Sequence, residues 1–181
     1  MNKAFTKDDD SYEPVIVPER APLPPGVPNY VTERGMRLLE EERKQLIAER
    51  TRLHTANSDA DDDAEEIKKQ LGIVNKRLRD LAERIATART VPPPARPDRT
   101  VRFGATVTLK ALQGDAAGEA RRIKLVGVDE AGESASLVAF YAPIARAILG
   151  HQSGDKVTRP TEGGEEVLEI IDVEYDTPSE D

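Results

Sequence analysis

Apolar residues recur at helical spacing in two stretches in the first half of the chain. In the second stretch the steps alternate between four and three residues, as in a coiled-coil seam, through Ile67, Leu71, Val74, Leu78, Leu81, Ile85 and Ala88. The first stretch places leucines seven residues apart, at Leu39, Leu46 and Leu53. Because only a short polar segment separates the two stretches, the pattern predicts two helices that fold back on each other as a hairpin.

Capping signals set the expected limits of these helices. Thr32 has the side chain of an N-cap and precedes Glu33, whose charge favours the first turn. We expect the first helix to end near Thr55 and the second to run from about Asp61 to Thr90. At ~1.5 Å per residue, the hairpin would form a stalk of roughly 35–45 Å.

The pattern changes to a period of two in the second half of the chain. Apolar and polar residues alternate over residues 101–109, and further strands are predicted at 122–128, 136–140, 156–159 and 166–175. Ala142 to Gly150 has the pattern of a short helix, with Pro143 in its first turn and Gly150 at its C-cap. The pattern predicts an α+β fold in which a short antiparallel sheet packs against one helix.

Proline-rich segments divide the chain into parts. Residues 1–28 are polar and rich in proline, which predicts a disordered or extended arm before the hairpin of residues 29–90. Prolines between residues 91 and 99 end the second helix and predict a stiff linker. The sheet domain is expected over residues 100–176, followed by an acidic tail at 177–181.

Composition narrows the classes of function. The net charge of −8 argues against a general nucleic-acid binder. The absence of cysteine from the sequence excludes disulfides and thiol chemistry. With 4% aromatic residues, a coiled coil with a small domain is a better expectation than one large core. Since no apolar run approaches 18 residues and no signal peptide is recognisable, we expect a soluble cytoplasmic protein without a membrane anchor.

An acidic cluster lies where the predicted hairpin turns. Six of the nine residues from Ser58 to Glu66 are carboxylates. Concentrated negative charge is unfavourable through self-repulsion, so its place at a tip suggests that it meets a cation, most simply a divalent metal. The candidate ligands are Asp59, Asp61, Asp62 and Asp63. A solvated turn at the start of a helix, where acids are favourable, is the structural alternative.

Several segments of the chain resemble one known family. The segments are Tyr30 to Gly35, Phe103 to Val107, Val126 to Glu130 and, most closely, Ala142 to Leu149 with Gly154 and Asp155. The chain thereby resembles the GreA/GreB transcription elongation factors of bacteria over about residues 29–176. The family has serine where this chain has Ala142.

The resemblance implies a coiled-coil hairpin joined to an FKBP-like domain, and bacterial RNA polymerase as the partner. The C-terminal domain would dock on the rim of the polymerase secondary channel through Ala142, Pro143 and Ile144. The stalk would enter the channel and contact nucleic acid only indirectly. Its acidic tip would share Mg²⁺ with the polymerase, an ion that the free protein does not hold. The protein would be a monomer and no enzyme itself, but would stimulate the nuclease activity of the polymerase.

The tip departs from the family pattern, Asp-x-x-Glu-Asn-Ala. Counting back from the second helix without gaps places the two acidic positions on Asn57 and Ala60, whereas a shift of two residues gives Asp59 and Asp62. Stimulation of transcript cleavage and inhibition of polymerase without cleavage therefore both remain open. A coiled-coil adaptor unrelated to the polymerase active site is a third alternative.

Overall fold

The helices and strands follow the predicted order. The computed structural model describes residues 20–59, 64–96 and 98–176, with only the backbone described for residues 57–59. The elements are β1 (Tyr30–Val31), α1 (Glu33–Asp59), α2 (Ala64–Thr87), β2 (Arg89–Thr90), β3 (Thr106–Gln113), β4 (Ala120–Val126), β5 (Leu137–Ala139), α3 (Pro143–Ile148), β6 (Lys156–Thr161) and β7 (Gly164–Glu174). The predicted α+β class, a helical hairpin followed by a sheet domain with one short helix, is confirmed. In the described part of the chain, no helix combines the length and apolarity needed to span a membrane.

The two long helices pack along the predicted seam. The buried side chains of this seam are Val31, Leu39, Leu46, Val74 and Leu81, flanked by partly buried Met36, Leu53, Leu78, Ile85 and Ala88. Burial of the seam supplies the hydrophobic stabilisation of a hairpin that has little other core. Thr32 caps α1 as predicted, because its hydroxyl accepts a hydrogen bond from the backbone N–H of Gly35 at 2.9 Å.

The helix limits differ from the predicted ones at both ends of the hairpin. α1 continues to Asp59 rather than ending near Thr55, since no glycine or proline interrupts it there. α2 ends at Thr87, and residues 89–90 instead form β2, which pairs in parallel with β1. The backbone N–H of Arg89 donates to the carbonyl of Asn29 at 2.8 Å. This pairing ties the two ends of the hairpin together at its base.

The sheet domain is built on five strands in the order β5-β4-β3-β7-β6. Neighbouring strands are antiparallel except for β4 and β5, which are parallel. The core lies on one face of the sheet, under α3, and its fully buried side chains include Leu109, Leu125, Ile148, Leu168 and Ile170. Residues 101–105 form a turn rather than the start of β3, although Val101 and Ala105 are fully buried. Their alternation therefore reflects packing of a loop against the core.

Gly72 offers a direct test of the hairpin. It lies inside α2, and a Cβ atom added there would meet no atom within 4 Å. Gly72→Ala should therefore raise the free energy of unfolding by about 1 kcal/mol, because alanine loses less backbone entropy on forming a helix. Denaturant unfolding followed by circular dichroism measures the change.

The control is the same substitution at Gly35 in α1. A Cβ atom at Gly35 would overlap the carboxylate of Glu130, whose side chain is buried and not free to move aside. Gly35→Ala should lower the stability while Gly72→Ala raises it. Equal effects of the two substitutions would contradict this assignment of the two glycines.

Candidate functional site

Helix α3 presents the predicted docking residues at its N-terminus. Pro143 occupies the first turn and is exposed, whereas Ala142 and Ile144 are half-buried and pack against the core of the sheet domain. Proline suits this position because its fixed φ matches the helix and the first turn needs no backbone N–H donor. Pro143 thus stands outward on a helix that its neighbours hold in place.

The N-cap of α3 has no side-chain hydrogen bond. Ala142 holds the extended backbone of an N-cap, with φ −61° and ψ 151°, but it has no side-chain acceptor for the free N–H groups of the first turn. Ala142→Ser should therefore stabilise the sheet domain by about 1 kcal/mol. Thermal unfolding measures the gain, and Ala142→Val, which also lacks an acceptor, should not reproduce it. An equal gain from both variants would contradict a capping effect.

Of the four predicted metal ligands, Asp59 belongs to the described backbone. Asp59 is the last residue of α1, so the helical backbone carries it to the tip. Asp61, Asp62 and Asp63 lie outside the described residues, and the metal site therefore stays a prediction. Within residues 20–59, 64–96 and 98–176, no group of three or more His, Asp or Glu side chains is arranged to hold a metal ion.

A buried carboxylate joins the base of the hairpin to the sheet domain. Glu130, in the turn after β4, accepts hydrogen bonds from the hydroxyl of Thr32 at 2.7 and 2.8 Å. Arg34 donates to the same carboxylate at 3.2 Å and to Glu133 at 2.7 Å. Glu130 is only 2% exposed, so its charge is stabilised by these partners rather than by water. The N-cap of α1 is thereby locked to the sheet domain.

A second ionic cluster lies beside it. Asp129 accepts a hydrogen bond from Arg20 at 2.6 Å and lies 3.4 Å from a guanidinium nitrogen of Arg84 in α2. Arg20 also donates to Glu42 in α1 at 2.5 Å. Burial lowers the pKa of Arg20, but the hydrogen bonds to Glu42 and Asp129 and their charges outweigh it and raise that pKa above its ordinary value. The guanidinium therefore stays charged while it bridges the two parts of the molecule.

Aromatic rings connect this joint with the segment before α3. Tyr30 of β1 packs against Phe103 and Phe140, with ring centroids 5.8 and 5.6 Å away. Phe103 and Phe140 also contact each other, and Phe140 contacts Tyr141, just before α3. The Tyr30–Phe140 pair is tilted, and the other three pairs are edge-on, a geometry that is favourable and directional. A continuous row of aromatic contacts thus links the base of the hairpin to the start of α3.

The sequence analysis did not predict that these residues join the hairpin to the sheet domain. Arg84 belongs to a helix rich in basic residues, yet it is buried to 7% exposure. Its spacing was a usable signal, because it lies three residues after Leu81 and four before Ala88 and so falls on the apolar face of α2. Asp129 lies in the segment Val126 to Glu130 that resembles the family, but nothing in the sequence indicated that it pairs with Arg20, 109 residues away.

Comparison with known proteins adds the family. The model of the family described as "Transcription elongation factor, GreA/GreB, C-term" matches residues 96–175. The transcription elongation factor GreB of Yersinia pestis is 33% identical over 162 residues, covering 84% of this chain and 92% of that protein. GreB of Neisseria meningitidis is 32% identical over 157 residues, covering 81% of this chain and 94% of that protein. This chain belongs to the GreA/GreB family.

The GreA/GreB relationship covers both the hairpin and the sheet domain. GreA of Vibrio cholerae is 32% identical over 154 residues, which cover 80% of this chain and 96% of that protein. Among solved structures, GreA/GreB from Nitrosomonas europaea has a TM-score of 0.38 at 20% identity and covers 82% of this chain and 99% of its own. Gfh1, a GreA factor homologue of Thermus thermophilus, has a TM-score of 0.36 at 20% identity with the same coverage. The predicted family is confirmed, and this GreA/GreB chain is a transcription elongation factor by descent.

Proposed function

We propose that this protein binds bacterial RNA polymerase through the N-terminus of α3 and stimulates cleavage of backtracked transcripts with its acidic tip. The observation that carries the proposal is the aspartate cluster at the turn of a helical hairpin, in a chain of the GreA/GreB family. The polymerase performs the chemistry, and the factor supplies groups to its catalytic centre. The protein is therefore a stimulator rather than an enzyme.

The two functional regions have separate tasks. Exposed Pro143, with half-buried Ala142 and Ile144 beside it, forms the docking contact. The hairpin spans the distance from that contact to the catalytic centre, since α1 has 27 residues and so measures about 40 Å. The basic side chains along both helices suit a channel lined by nucleic acid and acidic groups. The C-terminal domain supplies affinity, and the tip supplies the effect on the reaction.

The residues at the tip fit a magnesium ion by their chemistry. Asp59, Asp61, Asp62 and Asp63 offer only hard carboxylate oxygens, the donors that Mg²⁺ prefers. Within the polymerase, these side chains would complete part of the ion's shell. The shared ion would stabilise the negative charge that develops at the phosphate. The tip carboxylates would also accept hydrogen bonds from water and orient it beside the transcript.

Inhibition of polymerase without cleavage is the second candidate function. It is favoured by the tip sequence, which lacks the glutamate of the family pattern and has Asp62 in its place under the shifted register. Aspartate is one methylene shorter, so its carboxylate reaches less far. We favour cleavage because Asp59 and Asp62 keep the three-residue spacing of the family's acidic pair. The end of α1 at Asp59 supports this register, because the helical backbone then extends to the first position of the pair.

A cleavage assay on a stalled, backtracked elongation complex tests the proposal. The wild-type protein should accelerate shortening of the labelled transcript in the presence of Mg²⁺, and the polymerase without the factor provides the basal rate. Slower elongation without added cleavage would instead establish the inhibitory function. The absence of any effect, together with no binding to core polymerase, would leave the coiled-coil adaptor.

A further inference from the structure

The segment before the hairpin forms a strap across the joint between the hairpin and the sheet domain. The strap comprises residues 20–28. Arg20 reaches α1 at Glu42 and the sheet domain at Asp129, with distances of 2.5 and 2.6 Å. The backbone carbonyl of the next residue, Ala21, accepts a hydrogen bond from the guanidinium of Arg84 in α2. One end of the strap therefore contacts both helices of the hairpin and the sheet domain.

Buried Asp129 depends on Arg20 for a hydrogen bond to its carboxylate. Its side chain is only 8% exposed and has two cationic neighbours, Arg20 and Arg84. The Arg84 guanidinium lies 3.4 Å from one carboxylate oxygen without a hydrogen bond between them. Among the described side chains, Arg20 is the one that donates a hydrogen bond to Asp129. Removal of Arg20 would leave a buried carboxylate poorly satisfied, and reorientation of the joint is one way to hydrate it.

The position of Glu42 along α1 allows this contact to resist rotation of the hairpin relative to the sheet domain. Glu42 lies about 14 Å along α1 from its first residue, so the strap holds the stalk well above its base. The tip is farther away, about 40 Å from the same end. At that lever length a rotation of about 10° moves the tip by roughly 7 Å, and a rotation of about 1.5° moves it by roughly 1 Å. Displacements of about 1 Å are already large for groups that take part in a reaction.

The contacts at the first residues of the hairpin resist its rotation less strongly. Thr32, Arg34 and Glu130 all meet at the N-cap of α1, close to the pivot. Bonds near a pivot resist separation of the two parts but resist rotation weakly, because their lever arm is short. Arg20 acts at a greater distance and is 21% exposed in its side chain, so it can be replaced without opening the core.

We propose that Arg20 is a positioning residue that fixes the direction of the hairpin relative to the sheet domain. It acts through Glu42 and Asp129 and contacts no reacting group. The strap thereby gives residues ahead of the hairpin a role in aiming the tip. This orienting effect is independent of the proposed function, while its consequence for transcript cleavage rests on that function.

Spin labels measure the direction of the hairpin. The chain contains no cysteine, so Ala56→Cys in α1 and Glu162→Cys in the turn between β6 and β7 give two unique labels at exposed positions. The double-labelled protein should give one narrow distribution of label-to-label distances in double electron–electron resonance spectroscopy. Arg20→Ala should widen the distribution or move its maximum by roughly 5 Å or more, as expected for a rotation of several degrees.

Three controls accompany this variant. Arg122→Ala removes another ion pair, to Glu174, which lies within the sheet domain, and should leave the distances unchanged. Arg20→Lys should recover part of the narrow distribution, because one ammonium replaces the fork that binds two carboxylates. Deletion of residues 1–19 keeps Arg20 and should behave as the wild type, whereas deletion of residues 1–21 should resemble Arg20→Ala.

An unchanged distance distribution in Arg20→Ala would overturn the proposal, as would an equal change in Arg122→Ala. In the cleavage assay, Arg20→Ala should keep the half-maximal concentration of the wild type, because Pro143 is untouched, and should lower the maximal rate by about tenfold or more. If the wild type proves inactive in cleavage, the distances still decide whether the strap orients the hairpin. Failure of the proposed function and failure of the strap are thus separate results.

Discussion

Replacement of all four tip aspartates by asparagine should abolish the effect of this protein on transcription and leave its binding to polymerase intact. The replaced residues are Asp59, Asp61, Asp62 and Asp63. Asparagine keeps the size of each side chain but removes its charge, and neutral amide oxygens are weaker ligands for Mg²⁺ than carboxylates. We expect stimulated cleavage to fall by more than about 100-fold, since even residues that only orient metal ligands contribute 10- to 100-fold. Binding should persist, because α3 lies in the other domain.

A double variant at the neighbouring glutamates tests whether a loss of negative charge near the tip is enough to impair cleavage. Glu65 and Glu66 lie in the first turn of α2 and accept hydrogen bonds from the side chains of Lys68 and Gln70 in the same helix. Glu65→Gln with Glu66→Gln removes two negative charges, as many as each of the aspartate double variants described next, but it should leave cleavage nearly unchanged. Comparison with it distinguishes metal binding from a general loss of charge.

Two further double variants decide the register of the tip. Asp59→Asn with Asp62→Asn should be severe, whereas Asp61→Asn with Asp63→Asn should be mild, if the family spacing holds. The reverse order would move the metal ligands to Asp61 and Asp63. A quadruple variant that acts on transcription as the wild type does would show that the cluster is a solvated turn.

Pro143→Asp should weaken binding to core RNA polymerase by more than about 100-fold. Pro143 is exposed in the free protein and would be buried in the proposed contact, where an aspartate would lose its hydration without gaining a partner. The penalty for an unpaired buried charge is about 3 kcal/mol or more, which corresponds to a loss of over about 100-fold in affinity. Titration of labelled protein with core polymerase measures the change.

The same substitution should be harmless to the free domain. An acidic residue in the first turn of a helix is favourable, so the melting temperature should stay close to that of the wild type. Pro160→Asp is the matched control, because Pro160 is also exposed but lies on the edge strand β6 and is not one of the proposed docking residues. Equal affinity of Pro143→Asp and Pro160→Asp would remove α3 from the docking surface.

Local patterns in the sequence were sufficient to predict the hairpin and most strands. The seam from Leu71 to Ile85 repeats within one helix, and this period alone determines which face is buried. The N-cap at Thr32 is likewise determined by neighbours within three residues. The docking residues, by contrast, were inferred from a resemblance in sequence, and the metal residues from the clustering of carboxylates at the predicted turn. Both sets stay predictions.

Features that depend on distant partners were not predictable in this way. β2 replaces the expected end of α2 because Arg89 pairs with Tyr30, a residue on the other side of the hairpin. The turn at residues 101–105 alternates like a strand, since Val101 and Ala105 are buried in the core of the sheet domain. Period two reports alternate burial and does not report which backbone groups bond to each other.

The sequence by itself determined the family, the fold class and the acidic cluster, because each of these depends on local spacing or on residue type. Only the tertiary structure decided which charges matter at the joint. Arg20 and Asp129 resemble ordinary surface charges when read along the chain, and the place of Arg84 on the apolar face of α2 does not indicate which charge it meets. They meet because folding brings the strap, α2 and the turn after β4 to one place. Burial there makes their pairing consequential, since a charge removed from water depends on its partners.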